Sequence, residues 1–218
     1  MTPPLSRRWL SIVSTAFLLS LCGCIPEFRE PLSDGETSEV DEQALGTWYA
    51  IDETNSGLPM TIVKVAGTKA MEAQSPKEKG KDDPEMPVRL FTTKIGEKRF
   101  FSISCTSSLP KEEQKRPETF MVFAYKIEGK TLQLFMLKDD IFGDAVVAGK
   151  LQGTVKRPGG LFSCLFQKCD SVTITDSKKR LREFLAANKE EPVDREPFMT
   201  FTREPPPRNK PKGQGKSP

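Results

Sequence analysis

The chain has 218 residues, with 33 Lys and Arg against 30 Asp and Glu, a net charge of +3. That near-neutral balance gives no electrostatic case for nucleic acid. Histidine is absent, which removes Ser-His-Asp and Cys-His nucleophiles, histidine acid–base work and His-containing zinc sites; no other pattern points to a metal or a cofactor.

The N-terminus has three zones. Arg7 and Arg8 give a positive start, Trp9 to Leu21 form an apolar run broken only by Ser and Thr, and Leu21-Cys22-Gly23-Cys24 follows. A charged start, a short apolar stretch and small residues before a cut describe an export signal over residues 1–23. The run is shorter than the ~20 residues a bilayer-spanning helix needs.

The cut region resembles the lipobox of bacterial lipoproteins. Leu21 stands three before Cys24 and the small Gly23 stands directly before it. Cys22 is the rival, but bulky Leu21 precedes it, so Cys24 is the expected lipidation site. The resemblance implies a diacylglyceryl group on Cys24, often with a further acyl chain, and a location in the cell envelope on a bacterial membrane. Each buried methylene contributes ~0.8 kcal/mol and one chain holds only marginally, so two or three chains make release slow.

Residues 24–44 read as an acidic tether. Glu27, Glu30, Asp34, Glu36, Glu39, Asp41 and Glu42 stand against Arg29, and like charge with low hydrophobicity favours an extended, solvated spacer. The body is expected over residues 45–203. Its strand-like runs are Leu45–Asp52, Pro59–Ala66, Val88–Ile95, Lys98–Cys105, Thr119–Ile127 and Thr131–Lys138. Gly96-Glu97 and Glu128-Gly129-Lys130 read as hairpin turns. Short β-branched and aromatic runs joined by turns predict an antiparallel sheet curling into a barrel. Phe120, Val122 and Ala124 alternate with Met121, Phe123, Tyr125 and Ile127, so this strand is apolar on both faces and should be covered on both.

Two short helices are expected late in the chain, over Asp139–Leu151 and Ser177–Ala187, the second capped by Thr175 or Asp176. Ser171–Thr175 lies between them as a short strand, and Phe198–Arg203 closes the body. The polar stretches Gln74–Pro87 and Thr106–Glu118 read as loops. Residues 204–218, rich in Pro, Gly and Lys, read as a disordered basic tail. The fold class is therefore mainly β with α: an antiparallel barrel or curled sheet with two short helices between late strands.

Gly46-Thr47-Trp48, opening the first long strand, resembles the Gly-x-Trp of lipocalins and related calycin barrels. The resemblance implies that Trp48 plugs one barrel end and that a late basic residue, Arg203, packs across it as a cation–π pair. The whole stretch Leu45–Arg203 is also similar to a group of bacterial lipoproteins without an assigned role. It departs from lipocalins in its late helices and in lacking their middle motifs.

Three further cysteines are Cys105, Cys164 and Cys169. An exported chain can form disulfides, and Cys164 and Cys169 are close enough in sequence to close a small loop. Their odd number leaves at least one thiol unpaired or paired between chains.

No enzymatic activity is expected. Asp139, Asp140 and Asp144 suit the start of a helix, and no motif makes a dyad of Ser104 and Lys98. The expected role is a membrane-anchored binding or structural module of no specified task, with a protein or a small apolar ligand as the candidate partner. The alternative is a carrier of a small apolar ligand, motivated by Phe100, Phe101, Phe120, Phe123, Phe135 and Met136.

Overall fold

The computed structural model describes residues 25–51, 59–74, 87–105, 117–156, 171–188 and 192–205. In chain order these form β1 (Glu27–Phe28), β2 (Gly46–Ala50), β3 (Pro59–Lys64), β4 (Met71–Gln74), β5 (Val88–Ile95), β6 (Lys98–Ser104), β7 (Phe120–Glu128), β8 (Thr131–Met136), α1 (Asp139–Val147), β9 (Gly153–Lys156), β10 (Ser171–Ile174), α2 (Lys178–Ala187) and β11 (Met199–Thr202). β2 to β8 pair in sequence as an antiparallel meander, and β11 bridges β8 back to β2. The result is a closed antiparallel barrel of eight strands with two short helices.

Two hairpins fix register. Ile95 pairs Lys98 and Glu128 pairs Thr131, leaving two-residue loops led by Gly96 and Gly129. Both glycines have positive φ (61° and 57°), which such hairpin turns require at that position. From these turns, alternation sends every second side chain inward. Trp48, Ile62, Met71, Leu90, Phe101, Tyr125, Leu132 and Phe201 form the inner cluster.

The opposite face of β5, β6 and β7 is also apolar, and a second cluster covers it. Phe91, Phe100, Phe120, Val122 and Ala124 pack with Phe142 and Ala145 of α1 and with Leu181 and Leu185 of α2. The two helices thus share in the outer cover that a two-faced apolar strand demands. β7 outruns β8: its last β8 partner is at Phe123, opposite Met136. Beyond that point β1 takes the vacated edge, pairing Phe120 and Met121 on one side and β10 on the other. β9 then pairs β10.

The stretch Ile25–Ala44 is not the solvated spacer its charge predicted. Phe28, Leu32, Ser33, Ser38 and Ala44 are fully buried and Ile25 nearly so. The reason is spacing: acidic side chains alternate with buried ones, so net charge hides the buried set. The segment also mends a gap. β4 pairs β5 only from Val88 to Leu90. Past that, Thr92 donates its amide to Ser38 Oγ (2.9 Å) and accepts from Ser33 Oγ (2.7 Å) at its carbonyl. The chain passes there from the outer cluster, at Phe28 and Leu32, to the inner one, at Val40 and Ala44.

The helix ends also differ from expectation. α1 stops at Val147, not Leu151, because Gly149 turns at φ 68° and the Lys150 and Leu151 amides fold back onto the Ala145 carbonyl, a glycine-led stop. Ser177, neither Thr175 nor Asp176, caps α2 by accepting from the Arg180 amide. Asp176 is occupied elsewhere, accepting from the Gln152 amide at 2.6 Å. Residues 1–24, 157–170 and 206–218, most of both polar loops, and with them the export signal, Cys24, Cys164, Cys169 and nearly all of the tail, lie outside the described residues.

Candidate functional site: the two ends of the barrel

The strand directions give the barrel two unlike ends. At one end lie the tight turns at Gly96 and Gly129 and the start of β2. There Arg203 Cζ sits 4.1 Å from the Trp48 ring centroid. The structure brings Gly46, Trp48 and Arg203 together, and the Gly-x-Trp spacing has a steric cause. Gly46 has φ 107°, and a Cβ there would stand 2.7 Å from an Arg203 guanidinium nitrogen. Trp48 is wholly buried, and its indole Nε1 donates to the Ala44 carbonyl at 2.7 Å. Arg203 Nη2 donates to the Gln43 and Leu45 carbonyls at 2.7 and 2.9 Å. One guanidinium therefore covers the plug and pins the incoming chain.

A second latch lies beside it. Asp41 accepts from Arg99 Nη1 at 2.8 Å and from the Tyr125 hydroxyl at 2.7 Å. Phe101 stacks on Tyr125, ring centroids 3.8 Å apart. Burial, followed by the bond to Asp41, pushes the Tyr125 hydroxyl well above its ordinary range. It stays a protonated donor to Asp41. A groove of about 230 Å³ opens here, lined by Glu39, Asp41, Lys94, Arg99 and Tyr125 among others. Two of its charges, Asp41 and Arg99, are paired with each other.

A third contact ties the N-terminal segment to α2. Asp34 accepts from Lys178, and from the amide and hydroxyl of Thr37 at 3.0 and 2.7 Å. The Lys178 bond, then those from Thr37, hold the Asp34 carboxyl well below the usual carboxylate range. The same bond raises Lys178. A groove of about 350 Å³ runs beside this pair, between Leu32 and the Lys179, Arg182 and Glu183 side of α2.

The other end is different. Met60, Val88, Ile103, Met121, Met136 and Met199 occupy inward-facing positions at the outer ends of their strands and are all half-buried. Next to them Ile51 and Phe198 are 52% and 40% exposed. This end is an apolar rim, whereas the opposite end is plugged. Between them the barrel is filled by Trp48, Ile62, Met71 and Leu132, each almost fully buried.

The aromatic candidates for a ligand lining do not share one surface. Phe101, Phe123 and Met136 have inward parity, while Phe100, Phe120 and Phe135 belong to the outer cluster. Of the acidic trio only Asp139 and Asp140 serve the first turn of α1, where Asp139 Oδ1 accepts from the Asp140 amide and Asp140 Oδ1 from the Ile141 amide; Asp144, expected at the helix start, lies a turn further on. Ser104 and Lys98 stand at opposite ends of β6, roughly 20 Å apart at strand rise, and Ser104 donates to Glu118 at 2.7 Å. Cys105, half-buried, follows the end of β6. Among the described residues no three His, Cys, Asp or Glu side chains converge on a metal-sized site.

Sequence reasoning missed the Asp41–Arg99–Tyr125 latch and the methionine rim. The rim had a usable signal: Met60, Met121, Met136 and Met199 each fall on inward parity at a strand end. The latch had none, since Asp41 lies 58 and 84 residues from its partners. No known protein family, curated protein or solved structure matches the chain.

Proposed function

We propose that this chain is a lipid-anchored protein of the bacterial envelope, held to a membrane through Cys24, whose barrel is a non-catalytic binding or structural module. The signal, its lipobox-like cut and the placement of Cys24 support the anchor. The observation that carries the binding role is the contrast between the barrel ends: one sealed by Trp48 and Arg203, the other rimmed by half-buried methionines. Methionine is unbranched and polarizable, and it suits surfaces that adapt to a partner. The non-catalytic part is supported by what the polar groups do. Ser33, Ser38, Asp41 and Tyr125 are engaged in holding the fold, and Tyr125 is pushed away from acid–base duty.

A second reading is favoured by the same rim: the open end carries a small apolar ligand. Trp48 and Ile62 fill the deeper barrel, so such a ligand would occupy only the outer part. Titration with the apolar fluorophore N-phenyl-1-naphthylamine tests the rim as a binding surface. Brightening with the native chain, lost in Met199→Glu, is the expected result. No brightening would remove the carrier reading and leave a protein partner. Turnover of a common ester or glycoside, abolished by one Ser or Asp substitution, would overturn the non-catalytic role.

A further inference from the structure

We propose that the barrel is held in one orientation on the bilayer, with the rim at Ile51, Phe198 and Met136 against the lipid. The inference rests on the anchor at Cys24 and adds to it the surface that meets the membrane.

The first observation is how soon the chain enters the fold. Ile25 is 8% exposed, Pro26 is buried, and Glu27 and Phe28 are already a strand between β7 and β10. The Arg29 amide donates to the Ile174 carbonyl at 2.9 Å. An acyl-bearing residue 24 is therefore joined to the folded body without a spacer. One residue spans at most about 3.6 Å, so the body rests against whatever surface receives the acyl chains.

The second observation is where the chain enters. The last β8 pair on β7 is Met136 with Phe123, and β1 begins on the next free stretch of that edge, at Met121. The entry point is therefore the end of β8, at the open end of the barrel.

The third observation is what else lies there. The Ile51 amide donates to the Thr200 carbonyl and the Phe198 amide to the Leu134 carbonyl, both at 2.8 Å. Ile51 thus follows β2, Phe198 precedes β11 and Met136 ends β8, on three adjoining strands. Phe198 stacks on Phe123, ring centroids 6.1 Å apart. Ile51 and Phe198 are two of the three large apolar side chains left exposed among the described residues. Single exposed apolar residues need no explanation. Two on neighbouring strands, beside half-buried methionines and at the point where acyl chains attach, form a surface suited to the interfacial zone of a bilayer, where apolar and aromatic side chains settle. With this end toward the lipid, an apolar ligand at the rim would exchange with the membrane and not with water.

Brominated lipid, which quenches tryptophan emission on contact, tests this. The full chain, expressed with its signal so that it is processed and acylated, is placed in vesicles of phosphatidylethanolamine and phosphatidylglycerol with brominated acyl chains. Phe198→Trp is compared with Glu97→Trp, at an exposed turn of the plugged end. Trp48, buried in the barrel, gives the baseline and reports folding through its blue-shifted emission. In Phe198→Trp, loss of the added indole emission by roughly twofold or more, with Glu97→Trp unquenched, is expected for a residue in the interfacial zone. If Phe198→Trp disturbs Trp48, Ile51→Trp replaces it. A chain that floats with the vesicles and shows neither probe quenched, or both equally, overturns the fixed orientation and leaves the anchor standing. A chain that carries no acyl group and does not float overturns both.

Discussion

Truncating Phe28 distinguishes a structural N-terminal segment from a spacer. Phe28 is wholly buried and meets the Phe142 ring edge-on, centroids 5.4 Å apart. Phe28→Ala removes the ring from the outer cluster and leaves a cavity between β7, α1 and α2. Such a change costs about 3–5 kcal/mol, within which the edge-to-face contact accounts for about 0.5–1.5 kcal/mol. With a urea m-value of about 2 kcal/mol/M, the unfolding midpoint should fall by roughly 2 M. Urea unfolding of the mature chain, followed by Trp48 fluorescence, reads this directly, because Trp48 lies in the other cluster and is untouched by the substitution. A solvated spacer would give a change within about 0.5 kcal/mol. A midpoint that moves by less than about 0.25 M, at unchanged m-value, would refute the reasoning.

Arg203→Ala removes the cation–π contact and two carbonyl bonds, and should cost about 2–3 kcal/mol. Arg203→Lys should restore less than half of that, since an ammonium lacks the planar fork; full recovery would show that charge alone matters. Tyr125→Phe leaves Asp41 with Arg99 but deletes one buried bond, a loss of about 1–2 kcal/mol in the same unfolding assay; no loss would mean that the latch contributes nothing. Asp34 has a folded-state pKa below its unfolded value, chiefly through Lys178. Its contribution is present above the ordinary carboxylate pKa and is lost as pH falls through the depressed folded value. The stability gap between the native chain and Asp34→Asn should therefore be largest near neutrality and shrink in acid, and a gap that stays constant down the acid range contradicts this.

The legible parts of the fold are those specified locally. The β5–β6 hairpin follows from Gly96 and two alternating runs, and its bounds agree with the sequence to within a residue. β4 was hidden because Met71-Glu72-Ala73-Gln74 has no strand-forming composition and is a strand only through β3 and β5. β1 and β9 are likewise set by their neighbours. The acidic segment misled for a related reason. Charge averaged over residues 25–44 predicts solvation, whereas Phe28, Leu32, Ser33 and Ser38 decide its placement one by one. At the plugged end, Gly46, Trp48 and Arg203 were readable through the resemblance to the lipocalin Gly-x-Trp, which implies a late basic residue across the tryptophan. Asp41, Arg99 and Tyr125 come from three distant parts of the chain, and only barrel closure brings them together.

The most direct measurement of the central claim is acyl labelling at Cys24. Cells expressing the chain are grown with radiolabelled palmitate, and the labelled protein is followed through membrane fractionation. The native chain should carry label and sediment with membranes, and Cys24→Ala should carry none and leave the membrane fraction. Label retained by Cys24→Ala would move the anchor to Cys22, and an unlabelled native chain would contradict the lipid-anchored account.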